Sequence, residues 1–517
     1  MNGKREYGDY QTPIEFTEKV CMYIKDVCHI NPSAIVEPTC GVGHFLKSSL
    51  LFDANEYYGV EINKKYCDIC KETINNDKVK IINSDFFSFS TKSLIKDSRQ
   101  ILVIGNPPWV TNSTLSTLNS KNLPIKTNFK KTKGIDAITG SGNFDICESI
   151  ILQIINEYKN TNAFIAMLCK TSTARNIFKE LKRSYINFKM CKILEFDAVK
   201  VFDINASACV LLIHLSEKAD TSDVCNIYDF ENSEVLKAQI KFSDGNFYNS
   251  KDTDIENFDG SCCFEWRQGV KHDCSKIMEL SLQNENYQNG RNEIIQIEND
   301  IVFPLIKSSM FKSPIIHDFS KYVIVTQKKV REETKYIEKE LPKTWKYLND
   351  NIMLFNNRKS SIYNNAPLFS MFGIGKYSYS KYKVGVSGFY KKPLFSVLYS
   401  DDGKPVMTDD TSYFICFDNF DMAYIAMLIL NSEKVQKFLT NLAFLDDKRP
   451  YTKKILGRID FSKIIKVLTI NELSETEKKL NLSIRVNNKM YNDFKSLINI
   501  GQLELDYKSN TKTSKCF

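Results

Sequence analysis

A chain of 517 residues with 43% hydrophobic and 12% aromatic side chains can bury more than one core, which excludes a disordered or fibrous protein and points to two main domains. The formal net charge of +8 suits a polyanionic partner without requiring one. The 15 cysteines are odd in number and scattered, unlike a secreted disulfide scaffold, and no apolar run is long enough to span a membrane, so a cytoplasmic setting with free, buried thiols is expected.

From about residue 18 to 215, short apolar runs alternate with helical stretches, the pattern of βα units around a mostly parallel sheet. Strands are expected at Ala34 to Glu37, Glu56 to Glu61, Lys80 to Ile82, Ile101 to Gly105, Ala163 to Leu168, Ile193 to Phe196 and Ala208 to His214. Thr17 to Val27, Lys64 to Asn75 and Phe144 to Tyr158 have the apolar recurrence of amphipathic helices. Residues 216 to 262 are polar and irregular and read as a connecting region with a few strands, with a domain boundary near 250 to 265. Further on, Tyr377 to Tyr399 is rich in Tyr, Phe, Lys and Ser, Met422 to Leu439 is helical, and the stretch from about Ile470 contains one helix and a polar tail. The division expected is 1–250, 251–470 and 471–517.

Chemistry gathers where the strands end. In Ala34-Ile-Val-Glu-Pro-Thr-Cys-Gly-Val-Gly-His44, the glycines Gly41 and Gly43 let the backbone approach a ligand closely, and Glu37 suits the ammonium of an amino acid, directly or through water. Glu61 closes the second strand where a carboxylate can accept both hydroxyls of a ribose. Asp85 follows the third strand, suited to an exocyclic adenine amine, with Phe86 beside it. Three successive strands thus end in the contacts that an adenosyl-amino acid requires. Cys67 and Cys70 form the one CxxC pair, which lacks a second pair to complete a zinc site, so no metal is expected.

The fourth strand delivers Asn106-Pro107-Pro108-Trp109. The lone pair of an aromatic amine is delocalised into its ring, so the nitrogen is a poor nucleophile until it is drawn toward tetrahedral geometry. Two acceptors on its N–H bonds do this: the Asn106 side-chain oxygen and the Pro107 carbonyl. The prolines stiffen the loop before substrate arrives, and Trp109 offers a flat surface for stacking. Taken alone, the tetrapeptide does not separate adenine from glutamine as the amine.

In their order, these residues resemble the gamma-class N6-adenine DNA methyltransferases of restriction-modification systems. The family's cofactor-binding Thr-Pro element is similar to Tyr10-Gln11-Thr12-Pro13, and its later motifs to Glu37 to Phe45, Glu61 with Ile62, Asp85-Phe86 and Asn106 to Trp109. Lys200 to Ile213 resembles the segment whose aromatic packs on the flipped adenine, a role that falls to Phe202, and Gly142 to Ile146 looks like the helix start before the fifth strand. Trp266 to Lys271 and Leu430 to Lys437 resemble the opening and closing of a target recognition domain. Trp109 departs from the usual Tyr or Phe, which puts pocket size in question. The resemblance implies an α/β fold with a Rossmann-like seven-stranded methyltransferase sheet followed by a mixed α+β target recognition domain, S-adenosyl-L-methionine as cofactor, and double-stranded DNA as partner. It also implies an enzyme monomeric on DNA, with any restriction endonuclease on a separate chain, since this one starts almost at the Thr-Pro element.

Phosphate contacts are expected from Lys376, Lys381, Lys383, Lys391 and Lys392, interleaved with tyrosines, and from Lys448 and Arg449, although a solvated basic face reads the same way. Rival readings are an RNA or protein-glutamine methyltransferase, against which the long second half counts, and a catalytically silent DNA-binding subunit, against which the intact Glu61, Asp85, Asn106 and Trp109 count.

Overall fold

In a computed structural model of the chain, residues 11–96, 99–109, 146–218, 221–243, 245–249, 258–284, 286–445 and 447–513 are described, with side chains through 502. The chain divides into two compact units, 1–251 and 252–517. The residues Tyr10 and 110–145 lie outside the described residues.

The first unit is built on one sheet. Its strands are β1 (Ala34–Glu37), β2 (Glu56–Glu61), β3 (Val79–Asn83), β4 (Ile101–Gly105), β5 (Phe164–Lys170), β6 (Phe188–Asp197), β7 (Ser207–Leu215), β8 (Val224–Asp229), β9 (Leu236–Ser243) and β10 (Asn246–Asn249). Their order is β10-β9-β8-β6-β7-β5-β4-β1-β2-β3. Strands β1 to β5 are mutually parallel, and β7 runs antiparallel between β5 and β6. β1 and β4 are buried along their whole length because helices cover both faces of a parallel sheet, which is why they read as unbroken apolar runs. Strands β8 to β10 extend the sheet past the seven expected strands. The winding reverses between β1 and β4, and the carboxyl ends of those two strands flank the crevice where α/β sheets bind ligands.

Local chemistry sets the helix starts around that crevice. The Pro13 carbonyl accepts the Phe16 and Thr17 N–H groups at 3.1 Å each and opens the helix Ile14–Met22, which continues as a π-helical turn, Tyr23–Val27. Asn63 caps the helix Lys64–Thr73 by accepting the Lys65 N–H at 3.1 Å.

The second unit holds two sheets. One orders Arg267–Gln268, Ser412–Phe417, Tyr382–Ser387, Ser396–Leu398 and Ile315–Ile316, with the almost wholly buried helix Phe420–Asn431 packed against it. The other orders Ile294–Ile295, Asn286–Asn289, Glu279–Gln283, Lys321–Ile324, Val302–Ile306 and Met407–Thr408 around a separate apolar core. Where one helix and a polar tail were expected after residue 470, two helices, Ile470–Lys479 and Asn488–Thr513, pack against Phe420–Asn431. Glu477 ties them in: buried, it accepts the Tyr424 hydroxyl at 2.8 Å and the Arg485 and Val486 N–H groups at 2.9 Å. Among the described residues no helix is long and apolar enough to cross a membrane, and the cysteines are free and mostly buried.

Candidate active site

The loop after β1 is fixed by backbone that other residues resist. Gly41 and Gly43 stand at φ +52° and +82°, in the left-handed region where a side chain is strained. A Cβ on Gly43 would also lie 2.3 Å from Cys70 Sγ, so this glycine lets the loop press onto the helix Lys64–Thr73. Cys40 and Gly43 close the turn through a hydrogen bond of 2.7 Å, while the Glu61 carboxylate at the tip of β2 accepts the Gly41 N–H at 2.9 Å and the Asn63 N–H at 2.7 Å. Ile62 beside it is half exposed. Asp85 caps a short turn by accepting the Phe87 N–H at 2.9 Å, and Phe86 is buried.

Glu37 sits at the end of β1, only 3% exposed, and accepts the Leu46 N–H at 3.0 Å. Burial pushes its carboxyl well above the usual carboxylate range. No cation of the described residues pairs with it, and the Thr39 hydroxyl of the same loop is buried without a hydrogen-bond partner among them. A buried acid awaiting a cation, an orphaned hydroxyl, and a strand-end carboxylate on the loop together fit S-adenosylmethionine. Glu37 would hold its ammonium, Glu61 its ribose and Asp85 with Phe86 its adenine.

At the tip of β4 the structure joins residues far apart in sequence. Asn106 Nδ2 donates to Thr12 Oγ1 at 3.2 Å, and Thr12 is itself buried. His44 Nδ1 lies 2.6 Å from the Thr12 carbonyl, so the Thr-Pro element is anchored on the glycine loop as well as on the tetrapeptide. Pro107 is buried and Pro108 half-buried. Trp109 meets Phe202 edge to face, ring centroids 5.5 Å apart, and Phe202 in turn touches Phe196. Two contacts escaped the sequence reading. Gln11 Oε1 accepts the Val42 N–H at 3.4 Å beside Gly41, and the His44 ring meets the Thr12 carbonyl; neither has a local signature, because each is a contact made across the fold.

The basic candidates of the second unit do not form one surface. Lys383 is a correction: it is 1% exposed in the middle of the five-stranded sheet, donates to the Ser380 carbonyl at 2.8 Å and lies over the Phe414 ring, and burial pushes its pKa down to about 8. It cannot face phosphate. Lys376 and Lys381 are exposed before the start of the strand Tyr382–Ser387, whereas Lys391 and Lys392 are exposed beyond its other end, with a strand about 20 Å long between the two pairs. Lys448 and Arg449 join the latter pair: Tyr451 donates to the Lys391 carbonyl at 3.1 Å and the Arg449 guanidinium lies 5.2 Å from the Phe389 ring centre.

The sheet and the contacts at its strand ends define an S-adenosylmethionine-dependent methyltransferase. No family model matches the chain. It is 38% identical over 483 residues to the type II methyltransferase M.NspV of Nostoc sp. (strain ATCC 29411 / PCC 7524), an alignment covering 90% of this chain and 98% of that protein. It is 25% identical over 172 residues to the type II methyltransferase M.CvrRI of Paramecium bursaria Chlorella virus XZ-6E, covering 33% of this chain and 38% of that one. Its fold is similar to that of the type IIL restriction-modification enzyme MmeI, solved in complex with DNA, with a TM-score of 0.51 and 10% identity over 98% of this chain and 78% of that chain. The chain belongs to the type II methyltransferases, enzymes of restriction-modification type, and its cofactor is S-adenosylmethionine.

Proposed function

We propose that this methyltransferase is a gamma-class enzyme acting on the N6 amino group of an adenine flipped out of double-stranded DNA. The observation that carries the reading is the meeting of Thr12 with Asn106 and of Trp109 with Phe202 at the crevice beside Glu37. When bound, S-adenosylmethionine supplies a methyl group already activated on a sulfonium, so the protein's task is positioning. Asn106 Oδ1 and the Pro107 carbonyl accept the two N–H bonds of the target amine and draw its lone pair toward the incoming carbon. Thr12 Oγ1 accepts from the Asn106 amide nitrogen and so fixes which way the amide is turned. Trp109 and Phe202 supply the aromatic wall that offsets part of the cost of unstacking, roughly a few kcal/mol. The proton released after transfer passes to solvent, for neither amide acceptor is a base. That the relative MmeI was solved with DNA supports a DNA substrate, as does the large second unit.

The test is native sequencing for N6-methyladenine in DNA of a host expressing the wild-type chain or Asn106→Ala. Site-specific N6-methyladenine present with the first and absent with the second is expected. Methylcytosine, or no DNA methylation with the wild-type chain, overturns the proposal.

A further inference from the structure

Deepening that reading and resting on it, we infer that Gln268 and Arg449 read base edges of the target sequence, flanked by Lys391, Lys392 and Lys448 as phosphate contacts. Gln268 closes the edge strand Arg267–Gln268, opposite Tyr413, and its side-chain amide donates to the Asp410 carbonyl. Arg449 arrives from a segment almost two hundred residues later and turns Nη1 to the same carbonyl at 3.4 Å. The two side chains that most often read bases bidentately, Gln for adenine and Arg for guanine, therefore converge on one backbone atom.

Their surroundings fix them there. The loop after the strand Tyr382–Ser387 is anchored by the Gly388 N–H on the Thr411 carbonyl at 3.0 Å, which places Phe389 under the Arg449 guanidinium. Tyr451 holds the same loop through Lys391 O. A guanidinium stacked on a ring and tethered at one N–H keeps the rest of its fork ordered, so little entropy is lost on meeting a base. Gln268 is exposed and Arg449 half-buried, so both reach the surface.

Charge separates this cluster from its neighbours. Arg267 is neutralised by Glu265 and lies over the Tyr377 ring, and Lys271 is tied to Asp273. Lys391, Lys392, Lys448 and Arg449 make no ion pair among the described residues. Exposed lysines around two bidentate polar groups, with the nearby Asp410 carboxylate itself paired to Lys271 at 3.6 Å, fit the major groove of duplex DNA, with phosphates on either side.

The test first takes the methylation motif from native sequencing of DNA modified by the wild-type chain. Methylation rates are then measured in vitro on duplexes bearing that motif and each single base-pair substitution. Arg449→Ala and Gln268→Ala are each expected to lower kcat/KM on the motif about ten- to a hundredfold and to flatten discrimination at one or two positions. Lys391→Ala with Lys392→Ala should weaken binding to all duplexes alike and lessen its salt dependence. Arg449→Lys and Gln268→Asn repeat the test with minimal disturbance, and unchanged hydrogen exchange in the core of 252–517 controls for folding. Variants that keep full discrimination at every position overturn the assignment. A wild-type chain that modifies no DNA overturns the proposed function instead.

Discussion

Thr12 and Glu37 each turn a buried polar group toward the site, and each can be tested by a change of a few atoms. The Thr12 hydroxyl is the partner of Asn106 Nδ2. A neutral hydrogen bond contributes about 0.5–1.5 kcal/mol, so Thr12→Val should slow methyl transfer about two- to tenfold with little change in KM for DNA, and Thr12→Ser should restore it. An equal loss in KM with kcat intact would assign Thr12 to binding rather than positioning. Glu37 has the opposite economy: it is a liability until the cofactor arrives. Burial raises its folded pKa above the ordinary 4.5, so the cofactor-free protein loses stability as pH rises from about 4.5 through that raised value. Glu37→Gln should therefore melt no lower than the wild type at pH 7 without cofactor. It should also bind S-adenosylmethionine about ten- to a hundredfold more weakly, the range for a charge-assisted hydrogen bond of about 1.5–3 kcal/mol. Calorimetric titration and thermal melting with and without cofactor read both, and undiminished affinity would remove Glu37 from the site.

At the scale of elements, the glycine loop and the helix Lys64–Thr73 act as a lock. Gly43→Ala meets three obstacles, the positive φ of 82°, the Cys70 sulfur and the Ile74 Cδ1 at 2.9 Å. It should cost about 1–3 kcal/mol and weaken cofactor binding, and adding Cys70→Ala should recover part of the loss, because only the sulfur clash is relieved. Full recovery in a double-mutant cycle would show that φ is not strained. The same loop explains what the sequence makes legible. Strands β1, β2 and β4 carry buried runs that end in, or lead directly to, the residue that does the chemistry, so strand and site are visible together. Strands β8 to β10 read as a connecting region with a few strands rather than as part of the sheet because they are half exposed and rich in Asn, Lys and Gln. Lys383 misled for a related reason: a lysine among tyrosines resembles a solvated edge, and only the pairing of Tyr382–Ser387 with strands on both sides buries it. Pairings such as Arg267 with Phe414 leave no local trace, which is why the convergence of Gln268 and Arg449 was out of reach of periodicity.

Across the whole molecule, the cofactor and the protonation of His272 should act on different units. Every cofactor contact assigned above lies within 1–251, so S-adenosylmethionine should slow hydrogen exchange in the glycine loop, the tips of β2 and β4 and the helix Ile14–Met22, and leave the core of 252–517 unchanged. The second unit carries its own titrating group. His272 is 7% exposed, its Nδ1 accepts the Cys274 N–H at 3.2 Å, and burial with Lys307 nearby holds its pKa at about 4. Its approach to Glu279 at 3.7 Å is therefore a contact of a neutral ring, not an ion pair. An unfolded histidine takes its proton near 6.5, so the neutral ring supplies about 3 kcal/mol of stability above that pH, and this is lost as pH falls toward 4. Exchange in the strand Glu279–Gln283 and the core around it should thus accelerate between pH 6.5 and 4.5, after correction for the intrinsic rate. His272→Asn, with an acceptor still available to the Cys274 N–H, should abolish that dependence while leaving the cofactor response of the first unit intact. Acid acceleration spread equally over both units, or persisting in the variant, would show that His272 is not the group that titrates.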